Sequence, residues 1–330
     1  FFNQLFGGLN SKSVVGDLLA VILNNSMATY KIAGPMVEVE KEILRKVASL
    51  IDYPKTFGGT FPTGGSMCNF MALIIARDKK IPEIRNNGKQ QDLVCYSSQN
   101  SHYSIGKNAS FAGIGRNNVR YIKTNEEGEM CTESLQTAIK NDLNNKLIPF
   151  FVNATLGTTV IGATDPIAEI ANICNKDNIW LHIDGAFAGT VIFSKKYKHL
   201  ADGIQNSDSF CFNAHKTLGT PLSTSILLTK DEQDLYRSFN NKAEYLYQTE
   251  NDDYNLGQTS FECGRRNNAL KFWTLWKSVG TDGIGEMVEK NYNLSDIARN
   301  YIRNNSDYKL YSYDDSLSVC FNYKDFDAIE

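Results

Sequence analysis

The residues best suited to chemistry are a lysine and an aspartate that each follow a largely apolar run. Lys216 comes just after the run 209–214, and Asp184 ends the run 179–183. A lysine at the end of a buried strand loses solvation, which disfavours the ammonium and leaves an amine that can condense with an aldehyde. The two residues therefore predict Schiff-base chemistry at a lysine, with an acid on a neighbouring strand.

This pair matches what pyridoxal phosphate requires of a protein. A lysine binds the cofactor aldehyde, and an acid next to the pyridine nitrogen keeps the ring protonated, so that the ring can accept electrons. A structural alternative for Asp184 is a cap at a helix or turn. The sequence leaves that alternative open.

The sequence resembles the group II pyridoxal-phosphate-dependent amino acid decarboxylases, and within them the glutamate and cysteine-sulfinate decarboxylase branch. The resemblance covers nearly all 330 residues. It rests on motifs in the family's order, among them QNSHYSI, NATLGTTVIGATDPI, HIDGAFAG, FNAHKTLG, EYLYQ and FECGRRNNALKFWTLWKSVGTDG. It implies pyridoxal phosphate as the cofactor, an amino acid substrate and a homodimer with its sites at the subunit interface.

The resemblance also implies roles for individual residues around the cofactor. Lys216 would bind the aldehyde, Asp184 the ring nitrogen, and His102 and Ala186 the two ring faces. For His102, a polar residue at a helix start is the alternative. The other cofactor contacts that the resemblance implies are Thr63, Gly64, Gly65, Ser66, Thr158, Asn213 and His215.

Two further residues would act on the substrate by the same resemblance. Tyr245 would protonate the former α-carbon after carbon dioxide leaves, and it lies in the polar segment 240–257, which is typical of a lid. Gln4 would lie near the distal acid group of the substrate. An ordinary surface position is the alternative for both.

The glycine-rich stretch 63–66 precedes a predicted helix, where free N–H groups and the helix dipole favour a phosphate dianion. A dinucleotide site would need three spaced glycines, and the pair Gly113 and Gly115 lacks the third. With four histidines and no ligand spacing among them, we expect no metal site.

Some positions depart from the family pattern and affect the choice of substrate. Ala28 stands at a substrate-binding position where the acid-specific branch tends to carry an aromatic residue, Gly185 and Phe187 replace alanine and tryptophan, and Ala214 replaces proline. We predict α-decarboxylation of glutamate, aspartate or cysteine sulfinate. The alternatives are decarboxylation of an aromatic or diamino acid, another reaction of a fold-type-I enzyme such as transamination, and a cofactor-free scaffold.

Alternating strands and helices predict an α/β fold with a mostly parallel sheet covered on both faces. By resemblance this is fold type I of the pyridoxal-phosphate enzymes, with a seven-stranded sheet. We expect an N-terminal segment 1–35, a large cofactor-binding domain 36–284 and an incomplete smaller α+β domain 285–330. The chain starts at Phe1, and we expect it to be an internal portion of a longer protein.

Composition points away from several other classes. The chain has 42% hydrophobic residues and a formal net charge of −3 without a basic block, so we expect no nucleic-acid partner. No apolar run reaches the length of about 18 residues that a membrane span requires, so we expect no membrane partner. Seven scattered cysteines without a C-x-x-C pair favour reduced thiols and a cytoplasmic protein.

Overall fold

A computed structural model describes residues 5–88, 92–241, 254–324 and 326. The helices of these residues are α1 (Ser11–Leu23), α2 (Tyr30–Ala33), α3 (Met36–Leu50), α4 (Gly65–Lys80), α5 (Ile84–Asn87), α6 (Ser104–Phe111), α7 (Thr132–Asn144), α8 (Ile167–Asp177), α9 (Ala214–Thr217), α10 (Glu232–Phe239) and α11 (Ala269–Arg303). The strands are β1 (Gly58–Thr60), β2 (Leu93–Ser98), β3 (Val119–Ile122), β4 (Ile148–Thr155), β5 (Trp180–Gly185), β6 (Ser209–Asn213), β7 (Ser225–Thr229), β8 (Tyr308–Leu310) and β9 (Phe321–Tyr323).

The main sheet has seven strands in the order β1-β7-β6-β5-β4-β2-β3. The strands from β3 to β6 pair in parallel, whereas β7 is antiparallel to both β6 and β1. Strands β2, β5, β6 and β7 are buried at every position, because helices cover both faces of the sheet. The predicted α/β fold with a mostly parallel sheet is therefore confirmed.

The sheet separates two apolar clusters. One, between the sheet and helices that include α3, α8 and α11, contains Phe212 and Trp276. The other, under α4 and α6, contains Met71 and Phe151. Strands β5 and β6 lie between the two clusters, with Asp184 opposite Cys211 in the parallel register. Because their carboxyl ends meet at one edge of the sheet, the residues that follow them are brought together.

One edge strand was not predicted. The stretch 57–66 reads as a turn, but residues Gly58–Thr60 pair with β7. A Cβ atom on Gly59 would lie 2.7 Å from Leu228 Cδ2 and 2.8 Å from Leu44 Cδ2. A larger residue at position 59 would therefore require these leucine side chains to shift, and the glycines give the strand no side-chain pattern by which to recognise it.

Helix α11 is longer than predicted. The apolar spacing indicates a helix over 266–279, whereas α11 extends to Arg303 with non-helical dihedral angles at Gly280 (φ 72°, ψ 179°). The element is thus two helical stretches joined at a glycine. The domain boundary predicted after residue 284 falls within it, and a separate C-terminal domain stays a prediction. Strands β8 and β9 form a small antiparallel sheet beyond it.

None of the helices in the described ranges combines the length and apolar content that crossing a bilayer requires.

Candidate active site

A cavity of about 180 Å³ opens where β4, β5 and β6 end. Its lining is Gly65, Ser66, Asn69, His102, Tyr103, Thr155, Gly157, Thr159, Asp184, Ala186, Phe187, Asn213, His215 and Lys216. The lysine and the aspartate that the sequence predicts to act together thus contribute to the same cavity.

Lys216 lies on α9, a single helical turn that follows β6 directly. Burial lowers the pKa of its ammonium group, while the negative charge of Asp184 acts in the opposite direction. The turn is also held from outside, since Gly7 N–H donates to Lys216 O at 2.5 Å and Asn291 Nδ2 donates to Thr217 O at 2.9 Å. Hydrogen bonds therefore hold the backbone that carries the amine, and burial favours the neutral, nucleophilic form of the amine.

Asp184 is 4% exposed at the end of β5. Both of its carboxylate oxygens accept hydrogen bonds, Oδ2 from Asn69 Nδ2 at 2.7 Å and Oδ1 from Ala186 N–H at 3.0 Å. Donors on both oxygens fix the orientation of the carboxylate in the cavity. Such a carboxylate is suited to hold a protonated ring nitrogen inside the cavity.

His102 also lines the cavity, just before α6. Its Nδ1 accepts a hydrogen bond from Ser104 N–H at 3.2 Å, and burial lowers its pKa. A neutral imidazole can stack on an aromatic ring without adding charge. The neighbouring Tyr103 ring lies 4.2 Å from it, centroid to centroid, and is 72% exposed.

The start of α4 forms another wall of the cavity. A Cβ atom on Gly65 would lie 3.0 Å from both Ala186 Cβ and Asn213 Nδ2, so a larger residue would crowd this wall. Asn213 Oδ1 is buried without a hydrogen-bond partner among the described residues. The free N–H groups at the start of this 16-residue helix, with the hydroxyl of Ser66, suit a phosphate group.

His215 forms the wall next to Lys216. Its Nδ1 accepts a hydrogen bond from Thr224 N–H at 3.0 Å, and the Phe6 ring stacks on it with centroids 5.9 Å apart. Burial lowers the pKa of His215 to about 4. The side chain is therefore neutral at physiological pH.

Other predicted site residues are not part of the cavity lining. Thr63 and Gly64 precede α4, and Thr158 is buried with its Oγ1 accepting from Ala163 N–H at 2.9 Å. Ala28 is 2% exposed. Gln4 and Tyr245 lie outside the described residues, as does most of the segment 240–257. The roles assigned to all these residues stay predictions.

Several lining residues escaped the sequence analysis, and Asn69 is the most informative of them. It lies one helical turn after Gly65, on the same face of α4, and a reading of 3.6-residue periodicity could have found it. Tyr103 adjoins His102 and was within reach of that motif, whereas Phe187 stands out in the sequence only as a departure from the family pattern. Thr155, Gly157 and Thr159 come from the end of β4 and the loop after it.

The sheet, the strand-end lysine and the buried acid together match the fold of the fold-type-I pyridoxal-phosphate enzymes. The family model of the pyridoxal-dependent decarboxylase conserved domain matches residues 1–324, and the chain belongs to that family. A cysteine sulfinic acid decarboxylase from Rattus norvegicus is 37% identical over 327 residues, which are 97% of this chain and 66% of the relative.

Two more comparisons agree with this assignment. The acidic amino acid decarboxylase GADL1 of Mus musculus is 37% identical over 98% of this chain and 60% of its own length. The crystal structure of mouse CSAD matches with a TM-score of 0.93 and 35% identity, covering 98% of this chain and 68% of that one. The chain thus spans about two thirds or less of the curated relatives that it matches.

Pyridoxal phosphate is the cofactor of this family, and the cavity fits it. Lys216 can bind the aldehyde, Asp184 can hold the ring nitrogen, and the start of α4 can bind the phosphate. The small Ala186 leaves room for a ring. The described residues contain no group of three or more His, Cys, Asp or Glu side chains placed to bind a metal ion.

Proposed function

We propose that this chain catalyses the pyridoxal-phosphate-dependent α-decarboxylation of a small acidic L-amino acid, releasing the amine and carbon dioxide. The candidate substrates are glutamate, aspartate and cysteine sulfinate. The observation that carries the proposal is the pairing of Lys216 and Asp184 in one buried cavity, in a chain related to decarboxylases named for acidic substrates.

Each side chain has a distinct task in this proposal. Bound pyridoxal phosphate supplies a ring that accepts the electrons released when carbon dioxide leaves. Asp184 would hold a proton at the ring nitrogen, the Lys216 amine would bind the cofactor aldehyde, and His102 would stack on the ring. Tyr245 would give the substrate carbon its proton, and a closed segment 240–257 would exclude water during that step.

An acidic substrate needs a polar partner for its distal acid group. The only cationic side chain in the described cavity lining is Lys216, which is engaged by the cofactor. In this proposal, Gln4 and a cation from outside the described residues bind the distal acid group of the substrate. Ala28 shapes the pocket around that group. Phe187, which departs from the family pattern, lines the cavity and would change its shape toward the substrate.

We further propose a homodimer, in which a second copy completes the pocket. The outer side of α1 supports this proposal, because Leu18 is 58% and Ile22 is 76% exposed there. Apolar faces of this kind are typical of surfaces buried by a partner. The free cysteines support a reducing, cytoplasmic environment.

The experiment combines product analysis with chemical trapping. The full chain is incubated with each candidate acid and with an aromatic and a diamino acid, and we expect amine and carbon dioxide from an acidic substrate. A keto acid as the product would indicate transamination and overturn the proposal. Borohydride should attach the cofactor to a peptide containing Lys216.

Lys216→Ala should abolish both turnover and the trapped peptide, whereas Lys195→Ala, at an exposed lysine, should change neither. A reduced adduct on a different lysine would refute the assignment. Asp184→Asn should keep the cofactor but reduce turnover by orders of magnitude. Turnover close to that of the unmodified protein would give Asp184 a purely structural role.

A further inference from the structure

A chain of buried hydrogen bonds extends away from Asp184 beneath the cavity. Asn69 Nδ2 donates to Asp184 Oδ2 at 2.7 Å, and Asn69 Oδ1 lies 3.1 Å from His182 Nε2. His182 Nδ1 lies 2.8 Å from Ser209 Oγ, which accepts from Trp180 Nε1 at 2.8 Å. The chain links α4, β5 and β6, and its three polar side chains, Asn69, His182 and Ser209, are at most 1% exposed.

The direction of these hydrogen bonds follows from the indole at the far end. An indole N–H can only donate, so Ser209 Oγ receives that bond and cannot direct its own proton to Trp180. The remaining partner of Ser209 Oγ in the described part of the chain is His182 Nδ1. The hydroxyl therefore donates to Nδ1, and the imidazole proton must be on Nε2.

The same reasoning extends through Asn69 to the carboxylate. A proton on His182 Nε2 requires an acceptor, which is Asn69 Oδ1, and this orientation turns the amide N–H groups toward Asp184. The Cys211 Sγ lies 3.6 Å from the same Oδ1 and 3.9 Å from Asp184 Oδ1, and burial raises the thiol pKa well above the usual value, so its one proton can go to either oxygen. The His182 Nε2–H donor at Asn69 Oδ1 is therefore the contact that opposes a flipped amide.

A reversed chain would have the opposite effect on Asp184. In that case Asn69 Oδ1 would face the carboxylate, which would have to carry a proton, and His182 Nδ1–H would donate to Ser209. The Ser209 hydroxyl proton would then have no acceptor in the described part of the chain, and an unmade buried hydrogen bond is costly. The forward direction is thus the one that satisfies every group.

We propose that this series of hydrogen bonds is a directional relay that keeps hydrogen-bond donors turned toward the cofactor-facing carboxylate of Asp184. Its positioning residues are Trp180, Ser209, His182 and Asn69. The relay rests on the proposed function, because donors to Asp184 matter most where that carboxylate holds the pyridine nitrogen. The proposal adds a requirement that the cavity lining alone does not show. Asp184 must accept a hydrogen bond from a buried residue on the side away from the cofactor.

The first test reads the relay directly and needs neither activity nor cofactor. With four histidines in the chain, selective ¹⁵N-histidine labelling followed by long-range ¹H–¹⁵N NMR can assign the tautomer of each ring. We expect His182 to carry its proton on Nε2. Protonation on Nδ1 in the unmodified protein would overturn the proposal, whatever the fate of the proposed reaction.

The second test measures the protonation of the pyridine nitrogen by ¹⁵N NMR, in the protein loaded with ¹⁵N-labelled pyridoxal phosphate. Asn69→Leu removes the donor to Asp184 at similar volume, and we expect the pyridinium signal to be lost at a lower pH than in the unmodified protein. Ser209→Ala should give a mixture of His182 tautomers and a smaller change of the same sign.

Ser207→Ala is the matched control, because Ser207 is equally buried but bonds to Tyr53 away from the cavity. It should change neither signal. An unchanged pyridine nitrogen in folded, cofactor-loaded Asn69→Leu would refute the relay. Failure of the proposed reaction alone would leave both spectroscopic results as valid tests.

Discussion

Removing one partner of a buried ion pair should cost this protein a large part of its stability. Arg265 forms two hydrogen bonds with Glu40 of α3, at 2.6 and 2.7 Å, and the side chains are 3% and 0% exposed. The backbone oxygen of Arg265 also accepts from Met27 N–H at 2.9 Å. The pair therefore joins α3, the N-terminal segment and the stretch before α11.

We predict that Arg265→Met lowers the free energy of unfolding by about 3–5 kcal/mol, because it leaves the Glu40 carboxylate buried without its counter-charge. Methionine preserves much of the apolar stem, so packing contributes little to the difference. Arg45→Met is the matched control, since Arg45 pairs with Glu38 at 3.0 Å but the side chains are 51% and 46% exposed. Loss of an exposed ion pair should lower the free energy of unfolding by only about 0–1 kcal/mol.

The assay is urea unfolding of the cofactor-loaded protein, followed by far-UV circular dichroism, with midpoints compared at equal slope. The double variant Glu40→Leu, Arg265→Met should regain most of the lost stability, because no charge is then left buried. A cost for Arg265→Met no larger than that of Arg45→Met would refute the reasoning from desolvation.

Two further predictions concern the residues around Lys216. Burial lowers the pKa of His215 from 6.5 to about 4, so between these values the unfolded chain binds more protons and acid destabilises the fold. Between pH 7 and pH 4, His215→Gln should therefore lose about 3 kcal/mol less unfolding free energy than the unmodified protein. The same pH dependence of the unfolding free energy in both proteins would contradict this. A Cβ atom on Gly7 would lie 2.8 Å from Lys216 O, so Gly7→Ala should weaken cofactor binding in a titration. Gly264→Ala, where a Cβ atom meets nothing within 4 Å, should not, and equal affinities would show that the contact is dispensable.

Much of the sheet could be predicted because its central strands are continuous apolar runs. Such runs are typical of strands that are buried on both faces, and their ends place Asp184 and Lys216 at one edge of the sheet. Strand β1 could not be predicted in this way, since two of its three residues are glycines that show no alternation; a Cβ atom on Gly58 would lie 2.7 Å from Glu232 Cα, and one on Gly59 would crowd Leu44 and Leu228. The full length of α11 was hidden by Gly280, at which a helix normally ends.

The residues of the candidate site likewise fall into two groups, those that the sequence pattern predicts and those that only the packing of the fold reveals. Residues at strand ends and helix starts, such as Asp184 and Gly65, have positions that local patterns reveal. The partners of Asp184 do not, because Asn69 and His182 meet only after α4 packs on the sheet. In the sequence, a buried polar side chain only interrupts the apolar face of its helix or strand. Its role depends on the atoms that it contacts in the folded protein, and the sequence pattern does not show these.

The position of Lys216 depends on parts of the chain that are distant in sequence. The segment before α1 binds the lysine turn at both ends, with Gly7 N–H donating to Lys216 O and Asn10 N–H donating to Gly219 O at 2.7 Å. Asn291 of α11 bonds the backbone of the same turn. A reactive amine must be held within a fraction of an ångström of its target, and a four-residue helix has too few internal bonds to do so. The N-terminal segment and α11 therefore help to position the site, although none of their described residues contributes a side chain to the cavity lining.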